Sequence, residues 1–478
     1  MTTEPACPMK APMRDLPPKP GSRQEKVSLL GYLKLFRRDI LSAQPARLYH
    51  AWMAEFRTPF FRSYLCNDPQ LVDLVLKRRP MDFPKSDRIR EGLMPLLRES
   101  VFITNGATWE RQRRIIDPAF EGGRLREVFP AMWDASVAAC ARLQAVADGR
   151  LVEIEAETSH LAADVIFRTL FSIPIENETA AAVFKTFRAH QLARPLVNIG
   201  ALLPLPAWFP RFHSRRTKAT AQTIRGLIEQ LTTARAAQIA AGTAPDDLAT
   251  KIMTTADPQT GQVFSNAEMV DQVAIFFLAG HETSASALAW AMYLLALYPD
   301  WQDKVAVEAL EAFDPEKIYF STLSKLPTTR AVFREAMRLY PPVPMFVREA
   351  RCPETFRDRE LPKGAQVIIS PWHLHRHERI WDDPDAFQPD RFDTPNGRAG
   401  LRSAYIPFSA GARVCPGSAF AMAEGTLLLA MLVRAFKLER VAGADPVPAA
   451  HLTVRAKDGI WLRLTPRNPP LDQDKVDR

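Results

Sequence analysis

The chain has 478 residues, of which 47% are hydrophobic and 24% charged, with a net charge of +8. These proportions exclude a disordered or fibrous protein and allow a large core. At ~150 residues per domain the length alone points to about three domains, and the modest positive charge fits an acidic protein partner or acidic cofactor groups at least as well as nucleic acid.

Residues 1–25 are polar and Pro-rich, with no apolar core segment. They read as a disordered tail and not as a signal peptide. Leu29 to Leu41 is amphipathic, with Lys34, Arg37 and Arg38 on its polar side. It predicts a helix packed on the body, with contact to a membrane surface as the alternative. Strand-like pieces follow at PFFRSYL, near 345–370 and at 451–464. Pro174, the run 203–210 and Pro245 mark helix boundaries. Five cysteines stand at 7, 66, 140, 352 and 415, an odd number with no C-x-x-C pair. That argues against a disulfide framework and for a reducing compartment.

The clearest helix starts at Ser265, where Ser265 and Glu268 form an S-x-x-E capping box. It runs to Tyr298 and stops at Pro299. A helix apolar on nearly every side is buried. Gly280, His281, Glu282 and Thr283 interrupt this one, so it crosses the protein and meets something polar halfway. No stretch offers ~20 clean apolar residues for a membrane span. A second helix, Thr328 to Tyr340, puts Glu335 and Arg338 one turn apart. A third follows Pro416 to about Phe436.

Cys415 lies in PFSAGARVCPGSAF, just before that third helix. A helix N-terminus offers free N–H groups and a positive dipole end, which favour thiolate. Gly411 and Gly417 let a flat, bulky group approach the backbone. A single thiolate held this way suits one axial position on an iron. The spacing F-x-x-G-x-R-x-C-x-G, from Phe408 through Gly411, Arg413 and Cys415 to Gly417, sets this cysteine apart from an inert buried one.

With that motif the chain resembles the cytochrome P-450 family of haem-thiolate monooxygenases. Three more segments match in order. AGHETS at 279–284 is similar to the oxygen-binding motif of the family's long central helix. Glu335-Ala336-Met337-Arg338 is similar to its E-x-x-R motif, and QPDRF at 388–392 to its P-E-R-F segment, with Asp390 in place of Glu. The resemblance covers roughly 30–465. It implies a mainly α fold with a small β part, a triangular prism whose long central helix lies over haem b. That replaces three domains by one, over 26–478.

The resemblance also implies roles. Cys415 would be the iron ligand, Phe408 would shield its sulfur and Arg413 would reach a haem propionate. Trp109 and Arg113, at i and i+4 in NGATWERQRR, and Arg348 would hold propionates too. Ala279 and Gly280 would leave room for dioxygen, while Glu282 and Thr283 would form an acid–alcohol pair delivering protons. Glu335, Arg338 and Arg391 would form a buried structural cluster. His281 sits at the variable position of its motif and reads as structural. Phe102, Ile103, Phe276, Ala279, Val343 and Ile460 would line an apolar pocket drawn from 82–104, 183–215, 275–283, 343–347 and 456–460. Arg88 or Arg90 could anchor a substrate carboxylate, though both read better as exposed arginines.

The expected activity is hydroxylation of an apolar small molecule, a fatty acid, terpenoid, steroid or aromatic. Electrons would come from a ferredoxin or flavodoxin with its reductase, because no flavin- or ferredoxin-like segment follows the haem motif. Arg111 and Arg114 are candidate donor contacts. A bacterial-type, cytoplasmic monomer without transmembrane anchor or nucleic-acid partner completes the expectation. Three rivals stand against it. A peroxygenase would replace the Glu-Thr pair, which is intact here. A haem sensor would need a signalling domain. Zinc on His373, His375 and His377 would need them on one strand face.

Overall fold

The computed structural model describes residues 15–24, 27–57, 62–193, 213–314, 319–450 and 452–467. Of the expected tail, 1–14 and 25 lie outside these residues, as do the run 203–210 and the part of the expected pocket at 194–212. Residues 15–24 correct the expectation, because they lie along the body. The hydroxyls of Tyr298 and Tyr340 donate to the carbonyls of Asp15 and Pro18. Lys19 pairs with Asp385 at 2.8 Å and sits 3.7 Å over the Tyr49 ring. Prolines at 17, 18 and 20 pre-pay the entropy of an extended strap. Polarity and proline content mark an extended chain, which need not be a free one.

Helix α1 (Leu29–Arg38) is capped by Ser28 and packs through Tyr32 against Phe56. Strands β1 (Met53–Arg57) and β2 (Arg62–Cys66) form a hairpin ladder. Then come α2 (Pro69–Asp73), α3 (Asp87–Leu97), α4 (Gly106–Ile116) and α5 (Gly122–Gln144). Strand β3 (Leu151–Glu153) leads into α6 (Ile154–Phe171) and α7 (Glu178–Ala193), followed by α8 (Arg215–Ala240) and α9 (Leu248–Thr254). The long helix is α10 (Asn266–Leu297), which leads into α11 (Pro299–Ala312) and α12 (Pro327–Leu339). Strands β4 (Phe346–Glu349), β5 (Glu354–Phe356), β6 (Arg359–Leu361) and β7 (Gln366–Ile369) precede the short α13 (Pro371–Leu374) and α14 (Pro395–Ser403). Helix α15 (Ser418–Ala435) runs into β8 (Phe436–Arg440), and β9 (Pro448–Ala450), β10 (Val454–Ala456) and β11 (Trp461–Pro466) close the described chain.

The fold is mainly α with small sheets. One sheet has the order β1-β2-β7-β4, with only β2 and β7 parallel, in the register Tyr64↔Val367. A second has the order β3-β11-β8. Strands β3 and β8 escaped the sequence reading because short strands between helices carry no alternation to detect.

Helix α10 begins at the expected capping box, with the Ser265 hydroxyl accepting from the Glu268 N–H. It packs against α6, α8, α12 and α15. Midway along it the accessible positions are Phe276, Ala279, Gly280, Thr283 and Ser284. Their spacing of i, i+3, i+4, i+7 and i+8 is one helical face. The helix is continuous there; Gly280 and Thr283 open one face of it while His281 and Glu282 stay buried.

The E-x-x-R residues fasten the loop that leads to Cys415. Glu335 and Arg338 are fully buried, and Arg391 is 5% exposed. Arg338 donates to both Glu335 oxygens at 2.7 and 2.8 Å, and Arg391 donates to Oε1 at 2.9 Å. Arg338 also donates to the carbonyls of His375, Pro384 and Ala386, and Arg391 to those of Asp382, Asp383 and Ala386. Asp390, which replaces the usual Glu, is exposed and outside this network. Removing one partner of a buried pair leaves an uncompensated charge, at ~3–5 kcal/mol. Glu335→Ala therefore loses most of the stability of the folded protein in a urea titration. A variant within about 1 kcal/mol of the parent contradicts this account.

Candidate active site around Cys415

The loop before α15 is locked by its own backbone. Cys415 N–H donates to Phe408 O at 2.9 Å, and Val414 N–H to Gly411 O at 3.0 Å. Gly411 has φ +67°, and a Cβ there would lie 2.0 Å from the Leu76 carbonyl oxygen, so only glycine fits. Gly417 differs. Its φ is −82°, and a Cβ would meet nothing nearer than the Cys415 sulfur at 3.9 Å. Neither backbone nor protein packing demands glycine there; it keeps the space beside the sulfur open.

The Cys415 side chain is solvent-accessible yet sits in a recess. Enclosure by protein pushes its thiol up, against the Gly417 N–H and the Arg113 charge, which pull the other way. The helix N-terminus favours the thiolate as expected, and in this recess desolvation opposes it more strongly.

Four cations gather at one side of this recess. The Arg413 guanidinium lies 4.3 Å over the Trp109 ring, and the Lys85 ammonium 5.8 Å from it. Arg348, on β4, bridges backbone to backbone with Lys85. Arg113 donates to the Val414 carbonyl at 2.7 Å and pairs with Asp117 at 2.8 Å. Among the described residues that is the one ion pair any of the four makes. Arg413 Nε and Nη1 are buried without partners. Burial and the Arg413 charge bring Arg348 down to about 10, and burial with Arg351 brings Arg413 to about 10. Lys85 is held well below its ordinary value by burial and by Arg413, Arg348 and Arg113. Lys85 escaped the sequence reading, since a lone Lys in FPKSD carries no signal until the chain folds it against Arg348.

Opposite lies the accessible face of α10. Phe276 packs edge-on against Phe120 at 5.8 Å, and Phe120 in turn against Phe420 at the start of α15. The Thr283 hydroxyl donates to the Ala279 carbonyl at 2.5 Å. Glu282 is buried on another side of the helix, where its carboxylate accepts from Gln191 of α7. The acid and the alcohol are sequence neighbours on different faces. Gly280 shares the accessible face with Ala279, and a Cβ there would lie 2.5 Å from the end of the Ile166 side chain of α6, so the glycine also lets α6 pack closely. Ser284, beside Thr283, donates at 2.6 Å to Glu424 of α15, a second buried acid that the sequence reading missed. Burial pushes Glu424 up to about 8.

Of the pocket residues, Phe102 is 43% exposed, and Phe276, Ala279 and Val343 are accessible. Ile103 and Ile460 are core residues, and Ile460 O accepts from Ile154 N–H at the start of α6. The turn beyond β9 is held by Val454 N–H on Pro342 O and by Ser286 on Val454 O, and Leu452 in it is exposed. Arg90 pairs with Glu99 at the surface.

Arg111 and Arg114 are not free for a partner. Arg111 binds Glu268 at 2.6 Å, and Arg114 grips Asp257 with two bonds, stitching α4 to the approach of α10. The three histidines of WHLHRHE fall on α13 and the turn after it. Ser370 holds His373, His375 accepts from Ile406 N–H, and His377 stacks on Trp52. His281 bonds Ser159 at 2.6 Å, and burial brings it to about 3, so it is neutral.

Haem b fits this donor set. Its two carboxylates match a group of buried cations with too few anions, its iron matches a recessed sulfur, and its flat ring matches the space beside Gly417 and Ala279. The family model for cytochrome P-450 matches residues 26–462. A cyclooctat-9-en-7-ol 5-monooxygenase of Streptomyces melanosporofaciens is 30% identical over 432 residues, 88% of this chain and 90% of that protein. Cytochrome P-450 4A11 of Homo sapiens is 29% identical over 424 residues, 86% of this chain and 81% of that one. Protein LUTEIN DEFICIENT 5, chloroplastic, of Arabidopsis thaliana is 28% identical over 475 residues, 93% and 78%.

Arg413→Met removes an unpartnered buried charge. It raises the melting temperature of the haem-free protein while speeding haem transfer to an acceptor protein; slower transfer contradicts the propionate role. In the haem-free protein, folded Lys85 sheds its proton before the unfolded chain does. Stability therefore climbs with pH between that lowered pKa and the ordinary ~10.4. Urea titrations across that interval should lose the climb in Lys85→Met.

Proposed function

Because the chain belongs to the cytochrome P-450 family of haem-thiolate monooxygenases, we propose that Cys415 is its iron ligand and that Thr283 and Glu282 handle protons on the opposite face. The observation that carries this assignment is the pairing of a recessed sulfur with four cations, of which Arg113 alone is paired with a carboxylate. Bound there, haem b supplies the iron at which dioxygen takes two electrons and gives one oxygen atom to a hydrophobic substrate. Everything else falls to the protein.

Lys85, Arg348, Arg413 and Arg113 hold the two propionates, and Trp109 backs Arg413. Phe408 covers the sulfur side, and its carbonyl fixes the Cys415 backbone. Ala279 keeps the α10 face shallow. Thr283 holds an ordered water with the lone pairs its own bond to Ala279 leaves over. Glu282 takes protons from the Gln191 side of α10 and brings them across by rotating away from that amide. Phe102, Phe276, Ala279, Val343 and Leu452 wall an apolar substrate pocket for a fatty acid, terpenoid, steroid or aromatic. The bacterial relative acts, by its name, on cyclooctat-9-en-7-ol, which supports the terpenoid end of that range.

The finer reading is a bacterial-type cytoplasmic monomer served by a separate ferredoxin or flavodoxin with its reductase. Among the described residues, the one helix apolar and long enough to cross a membrane is α15, which lies packed in the core. The donor docks beside the Cys415 loop, with Arg111 and Arg114 committed elsewhere.

Cys415→Ala loses the thiolate-type spectrum of the reduced carbonyl complex, whereas Cys140→Ala and Cys352→Ala keep it. Retention of that spectrum in Cys415→Ala overturns the assignment. Thr283→Ala keeps haem and substrate binding and still consumes NADPH, but much of that consumption emerges as hydrogen peroxide. Positioned proton transfer is worth ~10²–10⁴-fold, so Glu282→Gln slows turnover more than it uncouples. Product, peroxide and NADPH measured in one reaction decide. Unchanged coupling in Thr283→Ala removes this pair from the mechanism.

A further inference from the structure

The backbone between α3 and α4 is held by buried polar groups, all but Lys85 of them outside the proposed iron site. Asp271 Oδ2, on α10, accepts from Glu99 N–H at 3.1 Å, and Oδ1 pairs with Arg225 of α8 at 2.6 Å. Arg225 reaches past it to donate to the Leu96 carbonyl at 3.0 Å, at the end of α3. The next residue of α10, Gln272, is fully buried and accepts from Val101 N–H at 2.9 Å. Gln112 of α4 donates to Glu99 O at 2.5 Å and accepts from the Thr104 hydroxyl at 2.6 Å. Lys85 closes the far side on the carbonyls of Val101 and Thr104. Arg98, at the start of the segment, has φ +37°, a backbone state that a non-glycine residue keeps only when its surroundings impose it.

Two helices, α8 and α10, thus contribute an ion pair and an amide to fix the backbone at Leu96, Glu99 and Val101. Neutral side chains could satisfy the same backbone groups without burying charge. A buried ionic network brings one defined arrangement more than it brings stability. Its product is the placement of Phe102, the one large apolar side chain of the segment that stands exposed, with Ile103 turned into the core.

We propose that Asp271, with Arg225 and Gln272, is a positioning device for substrate specificity. By fixing the backbone at 96, 99 and 101 it sets how far Phe102 projects into the pocket. Ligand size is then discriminated partly by a carboxylate that never touches the ligand. This rests on the proposal that Phe102 walls the pocket.

The test uses the haem-loaded full chain in its ferric state, with imidazole and 4-phenylimidazole as probes. Both bind iron through nitrogen and differ in bulk. Dissociation constants come from the shift of the main haem absorption band, and the readout is the ratio of the two constants. Phe102→Ala moves this ratio by about tenfold through the bulky probe alone. Asp271→Asn moves it in the same direction by about three- to tenfold, and Gln272→Met does so less. Arg225→Lys, which keeps the charge, stays nearest the parent. Hydrogen exchange of the peptide spanning 96–104 speeds up in the Asp271 and Gln272 variants, and its amides at Glu99 and Val101 lead. If Asp271→Asn fails to load haem, Gln272→Met decides.

A merely structural role lowers melting temperature and leaves the ratio alone. A ratio within about twofold of the parent in folded Asp271→Asn and Gln272→Met, while Phe102→Ala shifts it, overturns the positioning role. No shift in Phe102→Ala overturns the pocket wall itself, and the positioning role with it.

Discussion

One carboxylate organises the approach to the cysteine. Glu335 neutralises two guanidiniums, and each guanidinium gathers three carbonyls from the loop between His375 and Ala386. That loop has little regular structure, so its carbonyls have no ladder to satisfy them. The two arginines replace the ladder, and Glu335 makes it possible to bury them. With the loop fixed, the stretch through Ile406 to Phe408 has a defined start, and Phe408 O is in place to receive Cys415 N–H. The network contacts no part of the site, yet the site's coordinates follow from it.

The cations on the other side of the sulfur follow the opposite rule. Lys85, Arg348, Arg413 and Arg113 have one carboxylate among them, and burial lowers the first three. The balanced cluster at Glu335 holds the protein together, while the unbalanced one reserves a place for anions. Two groups of buried charge, similar in residue type, are told apart by whether the protein supplies the counter-charge.

Much of this was legible in the sequence where spacing along one element fixes geometry. Ser265 with Glu268, Glu335 with Arg338, and Phe408 through Gly417 are each read within one helix or loop. What was missed depends on chain folding back. Lys85 acquires meaning from a bridge to Arg348. Arg111 and Arg114 looked like free basic residues because Glu268 and Asp257 lie about 150 positions away. Gly280 fell within a recognised motif, yet its tightest contact is Ile166 of another helix. Ile460 was placed in the pocket by the resemblance alone, and it lies in the core. Periodicity says which face of α10 is open; it cannot say which loop faces it.

The thiol itself shows how far the protein's own electrostatics go. Gly417 N–H and Arg113 favour the thiolate, and burial opposes them more strongly, so the sulfur of the haem-free protein keeps its proton at neutral pH. A coordinating metal deprotonates a thiol outright. Ionisation of Cys415 and acquisition of iron are therefore one linked event, and a proton leaves as the iron arrives. The same arrival brings two carboxylates to the four cations and removes the penalty on Lys85 and Arg413. Both halves of the recess, each unfavourable by itself, are relieved by a single ligand that carries a Lewis acid at its centre and anions at its rim. That coupling explains why the cation group and the cysteine loop are joined through Arg113, which touches Val414 on one side and Asp117 on the other.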